Sequence, residues 1–300
     1  MPAVAVGECI YIMGGNSEKG KIGDIERFNT VTGEITLMKK KLLPRRYHTA
    51  EVYNGKIYIA GGYVDGVNDK SNSRLEIYDP AADSLSEGSP LPTPRYFASS
   101  VMADGKMYVF GGSRVSPRGR ISRKLDIYDV KTDKWTEGAP MLKGRQTDVV
   151  EKDGLVYAVG GYDGKKAVKN FEVYDIKKDR WTRLDDLPFA LSAHHCVISG
   201  DKIYSFGDYY ELDRVWAYDF NSEQWDVIMS RGIHDVKLLK SGFKIYQYRT
   251  GPIYLASRHN AVVKVNETVY VMGGNNSTYG PCLDYIQSVT CESLLRAVRH

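Results

Sequence analysis

Met107-Tyr108-Val109-Phe110-Gly111-Gly112, with Tyr128-Asp129 and then Trp135 downstream, is the stretch that decides the fold. A short run of apolar and aromatic residues closed by glycine reads as a strand ending in a turn. The arrangement recurs. Gly pairs stand at Gly14-Gly15, Gly61-Gly62, Gly111-Gly112, Gly160-Gly161 and Gly273-Gly274, with a worn copy at Gly207-Asp208. Spacings over the first five copies are 47, 50, 49 and 47 residues. Each copy follows a run of the same kind, such as Ile57-Tyr58-Ile59-Ala60 or Val156-Tyr157-Ala158-Val159. Downstream comes an aromatic residue (Phe28, Tyr78, Tyr128, Tyr174, Tyr218), and seven residues later a large apolar one (Ile35, Leu85, Trp135, Trp181, Trp225). Upstream lie two-residue turns, among them Asn54-Gly55, Asp104-Gly105 and Asp153-Gly154. Asn-Gly and Asp-Gly between apolar segments are the strongest short hairpin signal.

Each unit therefore holds four strands, a to d, with the Gly pair ending b. Four-stranded antiparallel units repeated at this period are the blades of a propeller, whose closure removes the exposed edges of an open row. The expectation is an all-β, closed β-propeller occupying 1–300 as one domain. The blade count turns on the C-terminal third. Trp181 to Gly207 is 26 residues, whereas Trp225 to Gly273 is 48. The surplus carries a seventh hairpin signal at Ser241-Gly242, so seven blades are favoured, one of them abbreviated at about 231–257. Six blades with a β-rich insertion is the alternative. Trp135, Trp181 and Trp225 are expected to be buried between blades.

Composition agrees with many short strands and tight turns: 22 Tyr and 29 Gly in 300 residues. No apolar run reaches the length of a membrane-spanning helix, so no membrane partner is expected. The start of the chain lacks the basic and apolar regions of a signal peptide, and a cytoplasmic location is expected. Four cysteines without a CxxC pair give no support to zinc or redox chemistry, and no cofactor or metal is expected. A net charge of +4 is too mild for a nucleic-acid binder. A basic sector at Arg114, Arg118, Arg120, Arg123 and Lys124 lacks the interleaved aromatics that single strands stack on.

The Gly pair, the following Tyr and the Trp seven residues on resemble the kelch-repeat β-propeller family over nearly the whole chain. Departures are Ile35 and Leu85 in place of Trp, and Asp208 in place of the second Gly. Strand parity puts the b–c and d–a loops on one face, and these are the longer, more varied loops that accompany binding. An arginine precedes strand a at Arg46, Arg95, Arg145 and Arg258, 15 or 16 residues before its Gly pair. The resemblance implies that such arginines hold acidic peptide segments at the channel mouth. Bonding of neighbouring-blade carbonyls is the competing role. His48 and His194 share one further repeat position, and Tyr63, Tyr162, Tyr209 and Tyr210 follow b-strand ends, where Tyr suits contact surfaces. The expected function is a monomeric, non-enzymatic scaffold binding a protein or acidic peptide on this face. The alternative implied by resemblance is a sialic-acid mutarotase-like isomerase. There the arginines would grip the carboxylate of an anionic sugar, and His48, His194 or Glu211 would move the proton. No nucleophile elbow, HExxH or P-loop is present.

Overall fold

The structure is a computed structural model that describes residues 2–17, 20–64, 73–114, 120–233, 235–241, 254, 257–275 and 285–298. The chain divides into two compact units, Met1–Asn29 with Glu34–Ser192, and Ala193–His300 with Thr30–Gly33. The first unit holds four four-stranded sheets and one two-stranded ladder. Blade 1 is β1 (Ala3–Val6), β2 (Cys9–Ser17), β3 (Gly20–Asn29) and β4 (Ile35–Leu37). Blade 2 is β5 (Thr49–Tyr53), β6 (Lys56–Ala60), β7 (Leu75–Asp79) and β8 (Ser84–Gly88). The two-residue strand β9 (Arg95–Tyr96) then leads into blade 3: β10 (Ser99–Ala103), β11 (Lys106–Phe110), β13 (Leu125–Asp129) and β14 (Lys134–Gly138). Between them β12 (Ser113–Arg114) pairs back on β9. Blade 4 is β15 (Gln146–Lys152), β16 (Leu155–Tyr162), β17 (Phe171–Asp175) and β18 (Arg180–Arg183). All four are antiparallel meanders in chain order, and the first strands of successive blades touch.

The second unit holds blade 5, β19 (His195–Ser199), β20 (Lys202–Phe206), β21 (Arg214–Asp219) and β22 (Gln224–Met229), and a last blade of different order. There β24 (Ala261–Val265), β25 (Thr268–Met272) and β26 (Tyr285–Thr290) form the first three strands. The outer one, β23 (Lys237–Ser241), comes earlier in the chain and pairs with β26. This corrects the favoured blade count. Residues 237–241 complete the sixth blade and do not open a seventh, so the fold is a six-bladed β-propeller. Of the expected abbreviated blade at 231–257, residues 234, 242–253 and 255–256 lie outside the described residues. A short helix unforeseen in sequence, α1 (Cys291–Val298), packs on β22 and β26 with Leu294 buried. Thr290 caps it, its Oγ1 accepting from the Ser293 N–H at 3.2 Å. No described helix is long and apolar enough to cross a membrane.

The interval of seven has a physical cause. Tyr128 and Trp135 stand directly opposite across the c–d hairpin, as do Tyr174 and Trp181, and Tyr218 and Trp225, with ring centroids 5.1–5.2 Å apart. At the turn between them, Asp133 and Asp179 adopt left-handed backbone. Asp133 Oδ1 accepts the Tyr128 hydroxyl and the Ser89 N–H, both at 2.7 Å, while Trp135 Nε1 donates to the Ser89 carbonyl at 2.7 Å. Asp179, Tyr174 and Trp181 bracket Ala139 in the same way. Each of these blades thus grips one residue of the preceding blade by both its N–H and its C=O. Blade 1 lacks all three parts at once, with Phe28, Gly33 and Ile35. Trp181 is buried, and Trp135 and Trp225 are half-buried.

A second staple lies deeper. Arg45, Arg95 and Arg145 are each 0% exposed. The Arg95 guanidinium donates to the carbonyls of Gly111 (3.2 Å), Lys124 (2.9 Å) and Val109 (3.3 Å), and to Asp126 Oδ2 at 2.6 Å. Arg45 meets Glu76 at 2.5 Å and Arg145 meets Glu172 at 2.9 Å, each with carbonyls of its own blade. The backbone carbonyl of each arginine meanwhile accepts the second Gly N–H of the blade before it: Gly15 to Arg45 (2.9 Å), Gly62 to Arg95 (2.8 Å) and Gly112 to Arg145 (2.9 Å). Such an approach needs glycine. A Cβ on Gly111, at φ +58, would lie 2.4 Å from the Arg145 carbonyl oxygen. Burial lowers the Arg45 guanidinium to about 10, Glu76 opposing the shift, so the guanidinium stays charged at neutral pH.

Losing one partner of such a pair strands a buried charge. Asp126→Ala is expected to lower the unfolding free energy by about 3–5 kcal/mol. The equivalent chain positions before and within blade 5 carry the buried apolar residues Leu191 and Trp216. Arg95→Leu combined with Asp126→Trp, which copies them, is therefore expected to recover most of the loss. Denaturant unfolding of the three proteins checks this, and a double variant as weak as the single one would contradict it.

Candidate functional site

The b–c and d–a connections meet in a small ladder at blades 2, 3 and 4 and at the last blade. Arg46 pairs with Tyr63, the Tyr63 N–H donating at 2.8 Å and the Arg46 N–H at 3.2 Å. Tyr96 pairs with Ser113, Arg95 with Arg114, Gln146 with Tyr162 and Arg258 with Asn275. Next to this ladder Tyr47 (φ 60°) and Phe97 (φ 52°) hold left-handed backbone, a conformation costly for large side chains. The Phe97 N–H donates to the Tyr47 carbonyl at 2.9 Å, and this bond joins blades 2 and 3. Their rings stack at 3.8 Å. Tyr96 lies 5.6 Å from Phe97, 6.3 Å from Tyr47 and 5.4 Å from Tyr63. Four half-buried aromatic rings from two blades thus form one cluster.

Cations lie over it. The Arg46 guanidinium carbon is 5.1 Å from the Tyr47 ring centre and 5.6 Å from that of Tyr63, and Lys21 Nζ from blade 1 is 5.1 Å from Tyr63. Arg46 and Arg114 both have a buried Nε without a hydrogen-bond partner. Neither has a carboxylate within ion-pair distance among the described residues, in contrast to Arg45, Arg95 and Arg145.

The four arginines expected to act together do not form one set. Arg95 and Arg145 belong to the interior staple, so their guanidinium groups are not offered to a ligand. The true repeat position in blade 2 is Arg45, one residue before Arg46. In the second unit Arg258 is buried, donating from Nη1 to the Tyr209 carbonyl at 3.0 Å and from Nε to Asn275 Oδ1 at 3.1 Å, with its guanidinium 4.2 Å from the Tyr209 ring. It holds Tyr209 in place. Tyr209 and the more exposed Tyr210 meet edge to face at 5.0 Å. Tyr162 is exposed at the rim of blade 4. His48 and His194 are buried. Burial, reinforced by Arg45, pushes His48 well below the ordinary imidazole range, so it is neutral at physiological pH. Glu211, which the isomerase alternative would use, is exposed and pairs with Arg214 at 3.3 Å. Among the described residues no group of three His, Cys, Asp or Glu side chains is placed to hold a metal ion.

Sequence reasoning passed over Tyr47, Tyr96 and Phe97. Aligning Pro44-Arg45-Arg46-Tyr47 with Pro94-Arg95-Tyr96-Phe97 finds them and places Arg45 under Arg95.

Comparison with known proteins agrees with this architecture. A family model described as the KLHDC2/KLHL20/DRC7 Kelch-repeats domain matches residues 1–208. An F-box/kelch-repeat protein of Arabidopsis thaliana, At1g22040, is 30% identical over 89 residues, 29% of this chain and 19% of that protein. The matched stretch is thus a small part of that relative. The repeated Gly pair, the Tyr–Asp–Trp bracket and the family match over more than half of the chain together place this protein in the kelch-repeat family.

Proposed function

We propose that this chain is a non-enzymatic interaction scaffold that takes an acidic segment of a partner protein on the b–c/d–a face of its four-blade unit. Kelch-repeat propellers are generally protein-interaction scaffolds. The observation that carries the finer reading is Arg46, a cation over the Tyr47 and Tyr63 rings with no carboxylate at ion-pair distance among the described residues, together with Arg114, likewise without one, opposite Arg95 on the next ladder. A guanidinium fork matches a carboxylate, and half-buried aromatic rings supply contact area at low entropic cost. Tyr162 and Lys165 extend the face at blade 4. In this reading the scaffold works as a cytoplasmic monomer and needs no cofactor.

The test is a library of fluorescent 12-residue peptides rich in Asp and Glu, read by anisotropy against the whole chain. For the tightest peptide, Arg46→Ala and Arg114→Ala are each expected to weaken binding by about 1–3 kcal/mol with unchanged melting. Lys165→Ala should shift it by less than about 1 kcal/mol, and that shift should vanish in high salt. Binding equally tight in both arginine variants, or no binding by any acidic peptide, would overturn the reading.

A further inference from the structure

At the rim of blades 2 and 3 the ring cluster is made of side chains that the repeat itself does not require. Tyr47 and Phe97 occupy the repeat position that Ala193 takes before blade 5 and His259 before the last blade, all four with left-handed backbone. Tyr96 follows Arg95 as Gln146 follows Arg145. Across the ladder, Tyr63 stands where blade 3 has Ser113 and the last blade has Asn275. A small or polar residue thus serves the same backbone position elsewhere in the chain. In blades 2 and 3 these positions carry four aromatic rings instead, and all four are only half-buried.

The cation and the rings lie close together. The Arg46 guanidinium carbon is 5.6 Å from the Tyr63 ring centre, and that centre is 5.4 Å from the centre of Tyr96, so Arg46 and Tyr96 are at most two such steps apart. The ring pairs Tyr63–Tyr96 and Tyr96–Phe97 are both tilted, a favourable arrangement for aromatic contacts. An ion pair at a wet rim contributes little by itself, because water and salt screen it. Burying one more ring on this cluster contributes far more, since a large apolar side chain taken out of water is among the strongest single contributions to binding.

We propose, resting on the acidic-segment reading above, that the partner segment carries a large aromatic side chain two residues from the acid that Arg46 takes, and that this ring is the anchor of the complex. Side chains two residues apart in an extended chain share one face and stand about 7 Å from each other. With its acid on Arg46, such a segment lays the second side chain over the rings of Tyr63 and Tyr96. The acid fixes the register of the segment and the ring supplies most of its affinity.

Fluorescence is not needed for the test, since weak binding is read by isothermal titration with millimolar peptide against the whole chain. Three 12-residue peptides of Gly and Ser are compared: one with a single Asp, one with Asp and Trp two residues apart, and one with Asp and Trp adjacent. The last two are made in both orders. In one order, the peptide with the two-residue spacing is expected to bind roughly 10- to 100-fold tighter than the Asp-only peptide. The adjacent pair, whose side chains turn to opposite faces of an extended chain, should lose most of that gain. Tyr96→Gln combined with Phe97→Ala copies the residues that the repeat uses in blade 4 and before blade 5. It should erase most of the difference between the Asp-only and the spaced Asp–Trp peptides, whereas Arg46→Ala should weaken both. Equal affinity of these two peptides for the wild type would overturn the anchor and leave the acid site standing. A full gain retained in the double variant would overturn it as well, and binding of no peptide at all would overturn both the anchor and the acid site.

Discussion

The structure of the first unit depends on a guanidinium group kept out of water. At Arg45, Arg95 and Arg145 one residue makes both kinds of contact a blade needs. Its side chain ties the end of strand b to an acid on strand c, and its backbone carbonyl takes the second Gly N–H of the blade before. Desolvation of the ion pair is a large cost, and it is offset only because nearly every donor finds a carbonyl or carboxylate at hydrogen-bonding distance. Removing any one group leaves the others buried and unsatisfied. The Gly pair is the counterpart of this demand, since a Cβ there would collide with the approaching backbone. Repetition of Gly-Gly in the sequence therefore records where each blade receives the next.

Around that staple the molecule divides its polar groups by depth. The Asp–Tyr–Trp bracket secures the c–d turn of a blade to its predecessor, and the Ser99 and Ser100 hydroxyls of β10 bond Asp148 of β15 and Glu51 of β5 on the inner strands either side. Between these lies a rim where bonding is incomplete. Arg46 and Arg114 sit beside arginines of identical chemistry, yet they lack the acids that neutralise their neighbours. The rim is also where Tyr47 and Phe97 hold a backbone conformation that large residues avoid. The same left-handed turn recurs at Ala193 and His259, where the His259 N–H donates to the Ala193 carbonyl, so the backbone belongs to the repeat and the large aromatic side chains are what is particular to this rim.

The repeat, the four-strand blade and the two-residue turns were legible because each rests on local chemistry: glycine at close approaches, Asn-Gly and Asp-Gly in hairpins, an aromatic opposite a tryptophan across one turn. The blade count was not. Hydrophobic patterning marks β23 as a strand but does not say which neighbour it joins. Its partner β26 lies far along the chain, Lys240 standing opposite Ile286 and Ser241 opposite Tyr285. The arginines were misread by one residue in blade 2 because Arg45 and Arg46 are adjacent and both fit a spacing of 15 or 16. The acids that distinguish them, Glu76, Asp126 and Glu172, stand two residues before each strand-c tyrosine. Two residues is one step along the same face of a strand, and that was the available signal for a buried pair. The aromatic cluster was hidden for another reason: Tyr47, Tyr63, Tyr96 and Phe97 meet only when two blades are side by side.

An ion pair within one blade holds the blade before it, and native-state hydrogen exchange tests this most directly. The Gly112 amide of blade 3 bonds to the Arg145 carbonyl at 2.9 Å, while the side chain of Arg145 is fixed by Glu172 of blade 4. In Glu172→Gln, the Gly112 amide should lose protection although no atom of blade 3 has changed. Loss of protection confined to blade 4, with Gly112 exchanging as in the wild type, would contradict that dependence.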